Sequence, residues 1–110
     1  MDITNAIDRT NLEDYAGAKL KSMLDFIEQQ KSEGREGVHY PWYIPSNRMK
    51  HLDGFKNFIF EGLIAKGNYV TDFLPGAKQE IGGFMKDVFI CWTEQAKLNA
   101  ESEGLIFKTY

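Results

Sequence analysis

The sequence predicts an all-α fold: a small three-helix domain covering residues 1–110, with long ordered connections and a short C-terminal extension. Apolar residues recur at steps of three and four in three separate windows, and a glycine-containing segment follows each window. The prolines occur only in the segments between these windows. A length of 110 residues and an apolar content of 43% are typical of one folded domain with a single core.

The first predicted helix follows a capping-box motif. Thr10 and Glu13 stand three residues apart, so their side chains can satisfy the free N–H groups at a helix start. Beyond this motif, the apolar residues of one helix face continue to about Gln30: Leu12, Tyr15, Ala16, Leu20, Met23, Leu24 and Ile27. The glycines of segment 31–37 end the helix, and Ile3, Ala6 and Ile7 predict one extra turn upstream.

The second predicted helix begins at Ser46, which is its expected N-cap. Its apolar stripe comprises Met49, Leu52, Phe55, Ile59 and Leu63, and Gly67-Asn68 is the expected stop. The alternation in Phe58-Ile59-Phe60 also fits a strand. The alternative fold is therefore α+β, with a small sheet formed by 55–60 or 69–74 and by the tail 105–107.

The third predicted helix follows an extended connection over 69–76 and has the longest apolar stripe. The stripe comprises Ala77, Ile81, Phe84, Met85, Val88, Trp92 and Ala96, with charged residues over much of the remaining surface. Gly82-Gly83 predicts a kink, and Gly104 ends the helix. We expect this helix to be the central element of the core, with Trp92 buried.

The segment Val38–Pro45 is the most informative stretch for function. It contains three aromatic residues and two prolines, which predicts an extended connection that is neither helix nor central strand. Residues 37–68 carry 4 basic and 2 acidic side chains, whereas the whole chain has a net charge of −3. The candidate binding residues are the aromatic and basic side chains of this region: Tyr40, Trp42, Tyr43, Arg48, Lys50 and His51. These rings either cover one end of the core or form an exposed binding surface.

Composition and motifs favour a protein without catalytic activity. Cys91 lies inside a predicted helix, and His39 and His51 are separated from it and from each other, so we expect no metal site and no catalytic cysteine. We find no paired carboxylates and no phosphate-binding loop, so we expect no cofactor. The sequence contains no membrane-length apolar stretch, no secretory signal and one cysteine, which together indicate a cytoplasmic protein.

These observations predict a small non-enzymatic interaction protein, acting as a regulator, inhibitor or adaptor that binds a larger protein. A surplus of apolar residues (Phe58, Phe60, Phe73 and 105–107) also predicts a homodimer. The alternative function is binding of nucleic acid or a nucleotide-like ligand through the aromatic and basic segment 38–51. No membrane partner is expected.

Overall fold

The computed structural model describes residues 3–46, 52–76 and 78–109, with the side chains of 3–14, 52 and 53 left undescribed. The elements in chain order are α1 (Ile3–Ser32), β1 (Gly37–Pro45), α2 (Leu52–Ala65), β2 (Tyr69–Val70), β3 (Lys78–Glu80), β4 (Gly83–Cys91) and α3 (Glu94–Ser102). The strands form one antiparallel sheet, so the prediction of an all-α, purely helical domain is wrong. The α+β alternative is the observed class, although its main strands differ from those expected.

β4 is the central strand of the sheet. It pairs along its whole length with β1, from Gly37 opposite Cys91 to Pro45 opposite Gly83. On its other side, β3 pairs with the first part of β4 and β2 pairs with the last part. This arrangement makes β4, rather than a helix, the central element of the core.

The predicted third helix is wrong over residues 78–91, where the structure has β3, a two-residue turn and β4. The apolar run from Val88 to Cys91 is continuous because the sheet is covered on both faces at that end. A short continuous apolar run fits a buried strand as well as a buried helix. Trp92 lies just beyond the strand, where it is half-buried and its Nε1 donates to the Arg35 carbonyl at 2.9 Å.

β1 is a nine-residue edge strand, so the description of this segment as a connection is wrong. Two hydrogen bonds fix its orientation: Ser46 N–H donates to the Gly82 carbonyl, and Trp92 N–H donates to the Glu36 carbonyl. Backbone N–H and C=O groups alternate sides along a strand. Those of even-numbered β1 residues therefore point toward β4, and those of odd-numbered residues point toward the free edge. Pro41 and Pro45 occupy outward positions, where no sheet hydrogen bond needs their missing N–H.

The three helices of the described residues end in the same glycine-containing motif, and the predicted helix stops are confirmed. Gly34, Gly67 and Gly104 adopt positive φ angles of 82°, 90° and 97°. In each case the glycine N–H and the next N–H bond back to carbonyls of the last turn, as Gly67 does to Ile64 and Asn68 does to Leu63. The start of α1 differs from the prediction, because the helix begins at Ile3, upstream of the capping box. The predicted first turn of the second helix after Ser46 lies outside the described residues, and α2 is described from Leu52.

The core lies between one face of the sheet and the pair of helices α1 and α2. Its largest fully buried side chains include Trp42 and Ile44 of β1, Phe55 and Phe60 of α2, and Met23 of α1. α3 and the C-terminal segment 105–109 cover the opposite face at one end only, where the Phe107 ring meets Phe89 at 6.3 Å. The other end of that face is uncovered by any described element.

Candidate functional site

The alternation of β1 separates the aromatic residues of the predicted site. Trp42 and Ile44 point toward α1 and α2, and neither side chain has any solvent exposure. Tyr40 points the same way and is half-buried beneath α1, where Lys19 Nζ donates to its hydroxyl at 2.7 Å. Tyr43 points to the opposite face and is 37% exposed. The strand therefore assigns neighbouring rings to two different environments.

Of the predicted binding residues, Tyr43 alone among the described ones lies on the uncovered face. Trp42 is enclosed by aromatic rings. Its ring centroid lies 6.0 Å from those of Phe55 and Phe60 and 5.3 Å from that of Phe73. Arg48, Lys50 and His51 lie outside the described residues. The structure thus brings Tyr40 and Trp42 together within the packed interior and places Tyr43 on the opposite face of the sheet.

The uncovered part of the sheet carries an apolar surface that we call the outer sheet patch: Pro41, Tyr43, Ile81 and Met85. Tyr43 is opposite Met85 in the register of β1 and β4. Its hydroxyl donates to the Ile81 carbonyl at 2.9 Å, which connects β1 to the β3–β4 turn. Ile81 at this turn is 99% exposed. The bond ties the Tyr43 ring to the backbone of a turn whose Ile81 side chain is exposed.

Ile81 and Met85 are members of this patch that sequence reasoning missed. The helical spacing places both in the third predicted apolar stripe, in which they would face the core. Gly82-Gly83 was the available signal, since two adjacent glycines suit a hairpin turn better than a helix interior. Gly82 has φ of +76°, and a Cβ on Gly83 would overlap the Ile44 carbonyl.

A second group of side chains combines lysines with aromatic rings on the helix-covered face of the sheet. Lys56 and Lys86 place their Nζ atoms 5.3 and 5.1 Å from the Phe73 ring centroid. Lys19 Nζ lies 4.7 Å from the Tyr40 centroid and 5.9 Å from that of Trp42. These ammonium groups and rings form a cationic surface next to the core, which we call the lysine–aromatic cluster.

Asp72 partly balances the charge of this cluster. Its Oδ1 accepts from Lys56 at 3.2 Å and from the Phe73 N–H at 2.7 Å, and its Oδ2 accepts from Lys108 at 3.3 Å. Partial burial alone would raise the pKa of Asp72. The Phe73 N–H and the two ammonium groups outweigh that effect, and the pKa lies below its ordinary value. The carboxylate therefore stays ionised at neutral pH and joins α2 to the C-terminal segment.

Cys91 is fully buried at the end of β4 beneath α3. Burial raises the pKa of its thiol to about 11, with Lys97 opposing and Glu101 adding to that effect. At neutral pH the group is a neutral thiol, which is a weak nucleophile. Within residues 3–46, 52–76 and 78–109, no cluster of three or more His, Cys, Asp or Glu side chains is arranged to hold a metal ion.

Among the described helices, none is long and apolar enough to cross a lipid bilayer. Comparisons of the chain with protein-family models, with curated proteins and with solved structures found no match. The chemistry of its own surfaces is therefore the basis for a functional proposal.

Proposed function

We propose that this chain is a small non-enzymatic interaction protein, a regulator, inhibitor or adaptor, that binds a larger protein through the outer sheet patch. The observation that carries the proposal is the exposed pair Tyr43 and Ile81, joined by a hydrogen bond of 2.9 Å. Its single buried, unpaired cysteine supports a reducing, cytoplasmic location.

Rigidity makes this pair suitable for binding. Tyrosine is one of the residue types that dominate interface energetics, and a ring already held in place loses little conformational entropy on association. Tyr43 is fixed at both ends, by the strand backbone and by the bond to Ile81. The neighbouring Met85 adds an adaptable apolar surface.

The edge of β1 favours contact through side chains rather than through strand addition. A partner strand would need N–H donors along the free edge. Pro41 and Pro45 have no backbone N–H, so the outward N–H groups of β1 are those of residues 37, 39 and 43. The partner is therefore expected to cover the face of the sheet, where Tyr43 is exposed.

A site-specific photocrosslinking experiment tests the proposal. A benzoylphenylalanine residue is introduced at Ile81 and, as a matched control, at Phe58, which is 51% exposed on α2. We expect the position 81 protein to form one discrete covalent adduct in cells, and the position 58 protein to form none. An adduct of twice the chain mass would identify a second copy as the partner, in agreement with the homodimer expectation.

Two substitutions make the result specific. Ile81→Asp should abolish the adduct of a probe placed at Met85, because a charge is introduced into the contact while Tyr43 is kept. Phe58→Asp should leave that adduct unchanged. Equal labelling from positions 58 and 81, or an adduct that survives Ile81→Asp, would contradict binding through this patch.

Nucleic-acid binding is the second candidate function, and the lysine–aromatic cluster is the observation that favours it. Lys56 and Lys86 flank the Phe73 ring, and ammonium groups beside aromatic rings suit phosphates and bases. Fluorescence anisotropy with a labelled single-stranded oligonucleotide tests this function. The Lys56→Gln/Lys86→Gln protein should bind more weakly and with a shallower salt dependence than Lys21→Gln/Lys31→Gln, which removes exposed charges from α1. Equal salt slopes for the two proteins would contradict it.

A further inference from the structure

A groove of about 450 Å³ lies at the end of the molecule remote from the outer sheet patch. Its walls are the end of α2 with Gly67-Asn68, the start of β2, one side of α3 and the C-terminal segment 105–109. The volume is within the range of pockets that hold small organic ligands, roughly 300–1,000 Å³. No role in the proposed partner binding is assigned to this groove.

Much of the lining is apolar and aromatic. The rings of Tyr69 and Phe107 meet edge to face with centroids 6.3 Å apart, and Ile64 and Leu105 extend the apolar wall. Ile106, also in the lining, is 83% exposed, an unusual position for a large aliphatic side chain. A ligand with an apolar or aromatic body would cover this surface.

The polar groups in the groove include acceptors on one side. Asn68 is only 4% exposed. Its Nδ2 donates to the Leu63 carbonyl at 3.0 Å, but its buried Oδ1 receives no hydrogen bond from any described residue. The carboxylate of Glu101 also lines the groove and forms no ion pair within 4.0 Å in the described part of the chain. The Asn68 oxygen is closed off from solvent, whereas the Glu101 carboxylate is exposed in the groove. Glu101 is therefore the acceptor that a ligand ammonium can reach.

The groove also contains a cation for which the described residues provide no carboxylate partner. Lys97 precedes Glu101 by one turn of α3, and its Nζ lies 5.0 Å from the Tyr69 ring centroid. Lys108, the other lysine in the lining, is bound to Asp72 at 3.3 Å. Lys97 is therefore the side chain available for an anionic ligand group, and its stacking places the charge beside the aromatic wall.

We propose that this groove binds a small zwitterion with an apolar body, of the class of hydrophobic α-amino acids. The ligand ammonium would donate to Glu101, the ligand carboxylate would accept from Lys97, and the side chain would lie against Tyr69 and Phe107. This arrangement pairs the Lys97 and Glu101 side chains of the groove with complementary charges and covers its exposed apolar lining.

Isothermal titration calorimetry with three probes tests the inference: L-phenylalanine, 3-phenylpropanoate, which lacks the ammonium group, and 2-phenylethylamine, which lacks the carboxylate. We expect L-phenylalanine to bind, and each analogue to bind about tenfold more weakly, because each loses one charge-assisted contact. Equal affinity for all three probes, or the absence of L-phenylalanine binding at millimolar concentrations, would overturn the proposal.

Variants of Lys97 and Glu101 test which charged group of the ligand each residue binds. Lys97→Gln should weaken L-phenylalanine and 3-phenylpropanoate about tenfold and leave 2-phenylethylamine unchanged. Glu101→Gln should weaken L-phenylalanine and 2-phenylethylamine and leave 3-phenylpropanoate unchanged. Lys21→Gln and Glu103→Gln, both exposed and outside the groove, are the matched controls and should bind as the parent does. A variant pattern independent of the probe's charge would overturn the assignment even if L-phenylalanine binds.

Discussion

Trp42 combines full burial with an indole N–H that has no hydrogen-bond partner among the described residues. The ring contacts Phe55, Phe60 and Phe73, so its stabilising effect comes from packing and not from hydrogen bonding. An unpartnered buried donor lowers stability by about 1–3 kcal/mol relative to a satisfied one. The packing of the Trp42 ring therefore stabilises the fold, whereas its unpartnered Nε1–H group lowers stability.

Two substitutions separate these contributions. Trp42→Ala should lower the free energy of unfolding by about 3–5 kcal/mol, because it leaves a large cavity among three rings. Trp42→Phe should lower it by about 1 kcal/mol or less, since it keeps most of the aromatic packing and removes the unpartnered N–H. Urea denaturation followed by circular dichroism measures both. A loss for Trp42→Phe as large as that for Trp42→Ala would show that the indole N–H is needed.

Asp72 gives the fold a defined dependence on acid pH. Because the pKa of Asp72 is lowered in the folded state from its ordinary value of 3.8, the ionised carboxylate stabilises the fold at pH values above that ordinary value. That stabilisation is lost as the pH falls through the lower folded-state pKa. Asp72→Asn should therefore reduce stability by about 0.5–1 kcal/mol at pH 7, a small effect because the side chain is 46% exposed.

The difference between parent and Asp72→Asn should close as the pH falls below about 4, where the unfolded chain takes up the proton. Urea unfolding at pH 7, 5 and 3 measures it. Asp87→Asn is the control, because Asp87 is exposed and forms no ion pair within 4.0 Å in the described residues. A pH-independent difference for Asp72→Asn would show that the ionised carboxylate is not the source of the lost stability.

At the scale of elements, the glycine that ends α2 can be compared with a glycine inside α1. Gly67 has φ of +90°, a conformation that alanine adopts only with strain, whereas Gly17 is exposed in regular helix with no atom within 4 Å of a Cβ. Gly67→Ala should lower stability by about 1 kcal/mol, and Gly17→Ala should raise it by about 0.5–1 kcal/mol. Thermal unfolding of the two variants checks the opposite signs; a stabilised Gly67→Ala protein would contradict the observed helix end.

The helix ends could be predicted from sequence because the signal is local. A glycine after an apolar stripe supplies the positive φ that closes a helix, whatever the rest of the chain does. The identity of β4 could not be predicted in the same way. Val88 to Cys91 are covered by β1 on one side, β2 on the other and helices on both faces, and of these partners only α3 is near in sequence. Such an apolar run carries no period that distinguishes strand from helix.

The candidate surface was only partly predictable for the same reason. The prolines of 38–45 correctly predict an extended segment. Such a segment exposes one set of alternate side chains or the other, depending on which face of the sheet is covered. Pairing with β4 directs Trp42 inward and Tyr43 outward. Ile81 belongs to this surface because the chain turns at Gly82-Gly83, which places the Ile81 carbonyl next to the Tyr43 hydroxyl. These positions depend on tertiary structure, which a single sequence pattern does not contain.

For the molecule as a whole, buried contacts are concentrated in one unit. The core joins α1, α2, β1, β2 and β4, with Trp42, Phe55, Phe60 and Ile90 among its fully buried members. α3 has one buried residue, Ala100, and its exposed side includes Leu98. The C-terminal segment is attached through the Lys108 N–H, which donates to the Val70 carbonyl at 2.8 Å. The uneven burial predicts uneven local stability.

Native-state hydrogen exchange should therefore show higher opening free energies for amides of the sheet than for amides of α3. The amides of Val88 and Ile90, held in the centre of the sheet, should exchange only through global unfolding. Those of Asn99 and Ala100 in α3 should exchange through a local opening of lower free energy, because little buried apolar surface resists it. Raising the urea concentration should accelerate exchange of the strand amides steeply and leave that of the α3 amides nearly unchanged. If both groups showed the same urea dependence and the same opening free energy, α3 would belong to the cooperative core, and the groove it borders would be as rigid as the sheet.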